Sequence, residues 1–340
     1  MKTHLKKFRV RAGLTQAKLA KMVGVTQPNY QRWESGSAAI PDDKLTKLAK
    51  VLETNTAALL GRHPPIEARF YDDSAGDDLN YYGEVAVHFS GGGGPLLLSI
   101  SEGAFSSLYE DLQLNSPFVT IKSLANQTVV VRIKAIADLY FSSEAYDDYG
   151  PENETYTDHI LLQMPDPRDW EIVEAIEHSI GLEDFDKADI ARVQKMIMIT
   201  DEQYDRLIAD GRIKREDLEN ERKKNQEETE KIFKLASKVT YQLSTGQRRD
   251  VYVDGNEALY NAFYELIEFD GGDSSDGMIL LSAEGSHRTI FINKCGLDYV
   301  SIPTHQYEAG TVEASSELLE SAEHLEKRTR RSRVSLKGDK

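Results

Sequence analysis

Nucleophiles, bases and metal ligands all occur in the 340-residue sequence, but never in a working pattern. The eight histidines (His4, His63, His88, His159, His178, His287, His305 and His324) include no His-Glu-x-x-His pair, the spacing that sets two imidazoles around zinc on one helix face. A single cysteine, Cys295, excludes an internal disulfide and a multi-cysteine zinc site. Its apolar surroundings read as a buried strand, so it is expected to be an inert core residue. Carboxylates crowd in DDYGPENE and EFDGGDSSD. These read as solvated loops, with calcium binding as the sharper alternative; the second segment lacks the spacing and terminal Glu of a calcium loop. The run SGGGGP is followed by no Gly-Lys-Ser or Gly-Lys-Thr and leads into a strand pattern, so it reads as a hairpin turn and not a phosphate loop. Serines and lysines are present, but in no motif of a self-cleaving regulator. The sequence therefore predicts no catalytic residue, no metal and no cofactor: a protein that is not an enzyme.

What is patterned is charge. The chain is 40% hydrophobic and 29% charged, which excludes a membrane protein and a wholly disordered chain. It has no apolar run of about 18 residues and no charged-then-apolar leader, and a cytoplasmic location is expected. The net charge of -16 is unevenly spread. Residues 1–62 carry 12 basic against 4 acidic side chains, a net of +8, and residues 327–340 carry 7 against Asp339 alone, a net of +6. The intervening body must then hold -30. Its two ends could approach phosphates while its middle repels them.

Helical periodicity in the basic head comes in short blocks. Leu5 and Phe8 mark a first helix ending at Gly13; Leu19, Ala20 and Val23 mark a second, N-capped by Thr15 and stopped at Gly24. Thr26 can cap a third, with Pro28 in its first turn, where a missing N–H costs nothing, and with Tyr30 and Trp33 facing inward. Pro41 to Leu52 reads as a fourth and Asn55 to Leu60 as a fifth, making a compact all-α unit.

The string GLTQAKLAKMVGVTQPNYQRWESG, with PDDKLTKLAKVLE after it, resembles the helix-turn-helix core of the XRE family, the Cro and cI-type phage repressors. The resemblance covers residues 4–61. It implies that Gln16, at the start of the second helix, stands where the family hydrogen-bonds phosphate. It further implies that Thr26, Gln27, Pro28, Asn29, Gln31 and Arg32 lie on or beside the helix that enters the major groove. Gln and Asn suit adenine and Arg suits guanine, so Gln27, Asn29 and Arg32 are candidate base readers. Arg9 and Glu34 match a family salt bridge and are expected to be structural, as are Ala20, at the crossing of two helices, and Gly24, in the turn. Pro28 and Trp33 depart from the family's usual polar and aliphatic residues, so no operator preference transfers. Lys6, Lys7, Lys18, Lys21, Lys44 and Lys47 are candidates for phosphate contact.

Beyond a linker at residues 63–83, EVAVHF and LLLSIS read as a hairpin and Ser101 to Leu112 as a helix, followed by strands FVTIKS and TVVVRIKAIADLYF. The unit recurs: residues from Lys238 align without a gap at an offset of 154, which becomes 160 after GGDSSD and sets Lys134 over Lys294 and Asp138 over Asp298. Two β-β-α-β-β units of about 65 residues suggest a duplication. Between them, residues 151–237 are helical: Trp170, Val173, Ile176 and Ile180 share one face, and Ile190, Val193 and Ile197 another. Thr200 with Gln203 forms a capping box, and a polar connector helix runs from about Lys214 to Lys238. Residues Ser315 to Glu326 have Leu318, Leu319, Ala322 and Leu325 at helical spacing. The basic terminus after them is expected to be disordered, and able to lie along a DNA backbone or fold onto the acidic body.

The expected architecture is multidomain α+β. It comprises a helix-turn-helix domain (1–62), a linker (63–83), a β-rich repeat (84–150), a helical insertion (151–237), a second β-rich repeat (238–310), and a helix with a basic tail (311–340). The expected function is a sequence-specific transcriptional regulator, a repressor of phage, plasmid or mobile-element type. Its partners would be double-stranded DNA and further copies of itself, as a homodimer or higher oligomer formed through residues 84–310. The alternative is a ligand-sensing or partner-binding regulator such as an antitoxin.

Overall fold

The computed structural model describes residues 3–72, 74–114, 116–144, 150, 161–268, 276–283 and 287–335, with side chains as far as Glu326. The acidic segments DDYGPENE and EFDGGDSSD fall almost wholly outside the described residues, as do the side chains of the basic cluster Lys327 to Arg333. The chain divides into two compact units, one of Met1–Pro64, Glu183–Phe185 and Glu308–Lys340, the other of Pro65–Leu182 and Asp186–Tyr307.

In the first unit, α1 (Leu5–Arg11), α2 (Gln16–Val23), α3 (Gln27–Glu34), α4 (Asp42–Val51) and α5 (Thr56–Leu59) follow the apolar periodicity of the sequence. Leu5, Leu19, Val23, Tyr30, Trp33, Leu45, Leu48 and Leu59 converge on one core. Local chemistry fixes the ends. The Thr15 hydroxyl accepts from Lys18 N at 3.2 Å, and Asn55 Oδ1 accepts from Ala58 N at 2.8 Å. Gly24 closes α2 at φ 76°. An added Cβ there would meet nothing nearer than Lys47 Nζ at 3.7 Å, so it is the left-handed backbone and not space that calls for glycine. Thr26 begins α3 through its carbonyl, which accepts from Asn29 N and Tyr30 N at 3.1 Å; its side chain forms no cap bond, contrary to expectation.

The second unit begins with β1 (Tyr81–Phe89), β2 (Leu96–Ser101), α6 (Glu102–Asp111), β3 (Phe118–Lys122), β4 (Gln127–Arg132), a 3₁₀ turn (Ile133–Ala135) and β5 (Ile136–Ser143). Helices α7 (Pro167–His178), α8 (Lys187–Ile197), α9 (Asp201–Ala209) and α10 (Leu218–Ser237) come next. Then the opening order returns: β6 (Val239–Leu243), β7 (Arg248–Val251), α11 (Asn256–Glu268), β8 (Met278–Ala283), β9 (Arg288–Asn293), a 3₁₀ turn (Lys294–Gly296) and β10 (Leu297–Pro303). The last helix, α12, spans Thr304–Ser335. The strands form sheets β2-β1-β5, β3-β4-β10-β6-β7 and β8-β9.

The five-stranded sheet lies between two cores because side chains alternate along a strand. From β4, Val129 and Val131 enter a core with Val85, Val87, Ile100 and Leu108, whereas Val130 enters the other with Tyr241, Leu259 and Phe263. From β10, Tyr299 joins the first core and stacks on Phe89 at 5.3 Å, while Val300 and Ile302 join the second. The turn SGGGGP owes a glycine to close approach: a Cβ on Gly91 would sit 2.2 Å from Ser244 O in the β6–β7 turn.

Several expectations need correction. Strand β1 starts at Tyr81, inside the stretch read as linker. The run TVVVRIKAIADLYF is not one strand, because the 3₁₀ turn at Ile133–Ala135 carries the chain from a sheet shared with β10 to one shared with β1. In the later unit the corresponding turn holds Cys295, which is exposed and not buried in a strand. Its Sγ donates to Asp276 Oδ1 at 3.3 Å, and this hydrogen bond with the neighbouring carboxylate pushes the thiol pKa up. Ile180 lies beyond α7 and is exposed, because Ser179 ends that helix in the left-handed region. From β4 onward the registers align at 161 and not 160: Phe118 pairs with Arg132, and Met278 with Asn293. The capping box of Thr200 and Gln203 forms as expected.

Candidate nucleic-acid interface

The exposed face of α3 is set by what the opposite face must bury. Tyr30 and Trp33 point into the head's core, so Gln27, Pro28, Gln31 and Arg32 turn outward within an arc of about 140°, with Asn29 on its flank. All five are exposed, and Thr26 precedes them, exposed as well. The arrangement presents three amides and one guanidinium, groups that can form paired hydrogen bonds to base edges, on a helix of eight residues.

Behind this face, Arg9 and Glu34 pin the end of α3 to α1. Arg9 Nε donates to Glu34 Oε2 at 2.8 Å and Nη2 to Oε1 at 2.9 Å, a two-point fork, while Nη1 donates to the Leu14 carbonyl at 2.8 Å. Both side chains are buried. Burial works against the Glu34 charge, but the hydrogen bonds from Arg9 and Gln16 and the Arg9 charge outweigh it and hold the carboxyl below its ordinary pKa. Burial likewise opposes the Arg9 charge, and Glu34 more than offsets it, so the guanidinium pKa rises. Tyr30 is kept neutral by burial, reinforced by the neighbouring Glu34 carboxylate. The expectation that this pair holds the helix in place fits its geometry.

Gln16, whose motif position implies a phosphate contact, is hydrogen-bonded within the first unit. Its side-chain Nε2 donates to Glu34 Oε1 at 2.9 Å, and its backbone N–H, at the start of α2, donates to Glu320 Oε1 at 2.7 Å. Glu320 comes from α12, which lies against the head on a polar stripe. Ser316 Oγ accepts from Arg9 Nη2 at 2.8 Å, Glu320 Oε1 lies 3.7 Å from Arg9 Nη1, and Glu308 pairs with Lys7 at 3.8 Å. Of the residues at helical spacing, Leu318, Ala322 and Leu325 are exposed and Leu319 is half-buried. Sequence reasoning missed Ser316 and Glu320. Their four-residue spacing marks one face of a helix, but nothing local ties that face to Arg9, more than 300 positions earlier.

Of the candidate phosphate ligands, Lys7, Lys18, Lys21 and Lys47 are exposed, while Lys6 and Lys44 are half-buried. Ala20 and Gly24 take the places expected of them: Ala20 is buried in the core, and Gly24 forms the left-handed turn between α2 and α3. Among the described residues no group of three or more His, Cys, Asp or Glu could hold a metal ion, and no helix is long and apolar enough to cross a membrane.

Comparison with known proteins gives one positive finding. The model of the family described as Helix-turn-helix matches residues 5–59, the segment carrying the XRE-type resemblance. Neither the curated proteins nor the solved structures give a match to the chain.

Proposed function

We propose that this chain is a sequence-specific transcription regulator of repressor type, which reads duplex DNA with α3 and joins two or more heads by self-association of its body. The observation that carries the reading is the helix-turn-helix match over residues 5–59, with an α3 face of exposed Gln27, Gln31 and Arg32 held by a buried ion pair. A head of this size reads only a few base pairs. Useful affinity needs two heads on half-sites about 34 Å apart, hence self-association. The recurring strand order of the body supports a duplication, and a chain built from repeated units is suited to symmetric assembly.

The test is selection of duplexes from a random pool by the full-length protein, followed by titration of the selected site against salt. Enrichment of a two-fold site is expected, with log affinity falling by about 0.9 per phosphate neutralised for each unit of log salt. A pool that shows no enriched sequence at any salt concentration overturns the reading.

Glu320 gives a second expected outcome. A carboxylate on the α2 N–H group occupies the place where the resemblance puts a DNA phosphate, and an anion at a helix N-terminus is worth about 0.3–1 kcal/mol. Glu320→Gln keeps an acceptor but removes the charge. Duplex affinity should rise about two- to fivefold at low salt, with base preference unchanged. Equal affinity for the two proteins would show that phosphate does not compete for this group.

A ligand-responsive body is the second reading, favoured by a cavity of about 270 Å³ in the second unit. Leu96, Leu98, Lys231, Lys234, Arg248 and Tyr299 are among its lining residues. Three cations against the one carboxylate of Asp250, beside apolar walls, suit a small organic anion.

A further inference from the structure

The β3–β4 hairpin docks on its neighbour through an apolar face, and the β8–β9 hairpin carries the same face uncovered. The correspondence rests on register and core. Val119 and Ile121 of β3 enter their own unit's core as Ile279 and Leu281 of β8 enter theirs, and Val129 and Val131 of β4 correspond to Ile290 and Ile292 of β9. The alternate residues are then equivalent too. On β3–β4 these are Phe118 and Val130, each 0% exposed because they enter the core built on β6 and β10. Their equivalents Met278 and Phe291 are 59% and 65% exposed, and Leu280, the cross-strand partner of Phe291, is 53% exposed. Three large apolar side chains on one face of a two-stranded sheet are costly to leave in water and mark an interaction surface.

The structure also shows what such a face packs against. Strand β4 pairs antiparallel with β10, which pairs on its other side with β6. The strand equivalent to β10 is β5: Ile136, Leu139 and Phe141 pack on the first core as Leu297, Val300 and Ile302 pack in the second. It pairs with β1 and, among the described residues, with no strand on its other edge. The chain thus holds one used joint, β4 to β10, and the two halves of a second, β9 and β5. An open edge beside an apolar face is what β-sheet proteins ordinarily cover.

We infer that β9 of one copy pairs antiparallel with β5 of a second copy, with Met278, Leu280 and Phe291 covering that copy's first core, to form a closed assembly of two or more chains. Carrying over the β4–β10 register sets Phe291 opposite the second copy's Leu139, Ile290 opposite its Tyr140 and Arg288 opposite its Ser142. The inference specifies the self-association proposed above and is independent of DNA binding.

The test uses full-length protein at physiological ionic strength. Light scattering on the unaltered chain should give the mass of a dimer or a larger ring. Leu280→Asp with Phe291→Asp, and separately Tyr140→Arg, should each reduce it to the mass of one chain, with circular dichroism unchanged because these side chains are exposed in the single chain, and with melting that no longer depends on protein concentration. In a Cys295→Ser background, chains carrying Ser142→Cys mixed with chains carrying Arg288→Cys should be joined by a short bismaleimide into a species of two chains. An unaltered protein that is monomeric overturns both this joint and the proposed self-association. An oligomer that survives the substitutions, or mixed chains that fail to cross-link, overturns the joint alone. Cross-linking within one chain bearing both cysteines would overturn it as well, by placing β5 and β9 together without a second copy.

Discussion

Replacing Arg9 with Met is expected to destabilise the head by about 3–5 kcal/mol, a large share of the 5–15 kcal/mol that holds a typical domain folded. The loss comes less from the attraction removed than from what is left behind. Glu34 would remain buried as a carboxylate without its charged partner, left to the neutral side chains of Gln16 and Tyr30, and the Leu14 carbonyl and Ser316 hydroxyl would each lose a donor. Trp33 lies in the head's core and Trp170 in the second unit, so urea unfolding followed by fluorescence in a Trp170→Phe background reads the head alone. Adding Glu34→Met should recover much of the loss, since two apolar side chains leave no buried charge. Acid gives an independent reading. A carboxyl whose folded pKa is lowered contributes stability that is complete above its ordinary range and is lost as pH falls through the folded value. The unaltered head should therefore weaken below about pH 4, and Glu34→Gln should remove that part of the pH dependence. A cost under about 1 kcal/mol for Arg9→Met would show that the pair is dispensable.

Legibility in the sequence followed the range of the interactions involved. The head could be read helix by helix because its signals are local: apolar residues at 3.6-residue spacing, Thr15 and Asn55 as caps, and Gly24 at the turn. The capping box at Thr200 is equally local. Errors arose where the deciding partner is distant. No residue between Val131 and Ile136 signals that the chain must leave a sheet shared with β10 for one shared with β1, so the 3₁₀ turn has the sequence pattern of a continuous strand. The same blind spot placed Cys295 in a core. In α12, the apolar spacing of Leu318, Leu319, Ala322 and Leu325 marks a helix but not its partner; the buried Arg9 guanidinium, which a hydroxyl and a carboxylate can satisfy, sets Ser316 and Glu320 against the head. The candidate base-reading positions rest on the motif alone. Their exposure follows from Tyr30 and Trp33, which the spacing does show.

Gln27→Ala combined with Arg32→Ala should abolish discrimination between the selected site and random duplex while leaving the fold intact. Both side chains are exposed, and the bonds that tie Arg32 to the loop after α3, from the Ser35 and Ser37 hydroxyls and Ala38 N, go to its carbonyl, which the substitution keeps. A well-made amide–adenine or guanidinium–guanine pair contributes about 1–3 kcal/mol of discrimination, so losing both costs about 2–6 kcal/mol, or roughly 30-fold to 10⁴-fold in preference. The control is Lys18→Ala with Lys21→Ala, exposed cations on α2 that carry charge but no base-reading geometry. It should lower affinity for every duplex alike and reduce the salt slope by about 2, with preference unchanged. The two outcomes separate reading from attraction, because α3 contributes sequence information only if its loss alters the ratio of affinities and not merely their sum. Unchanged discrimination in the α3 double variant, or a collapse of discrimination in the lysine variant, would remove α3 as the reading element.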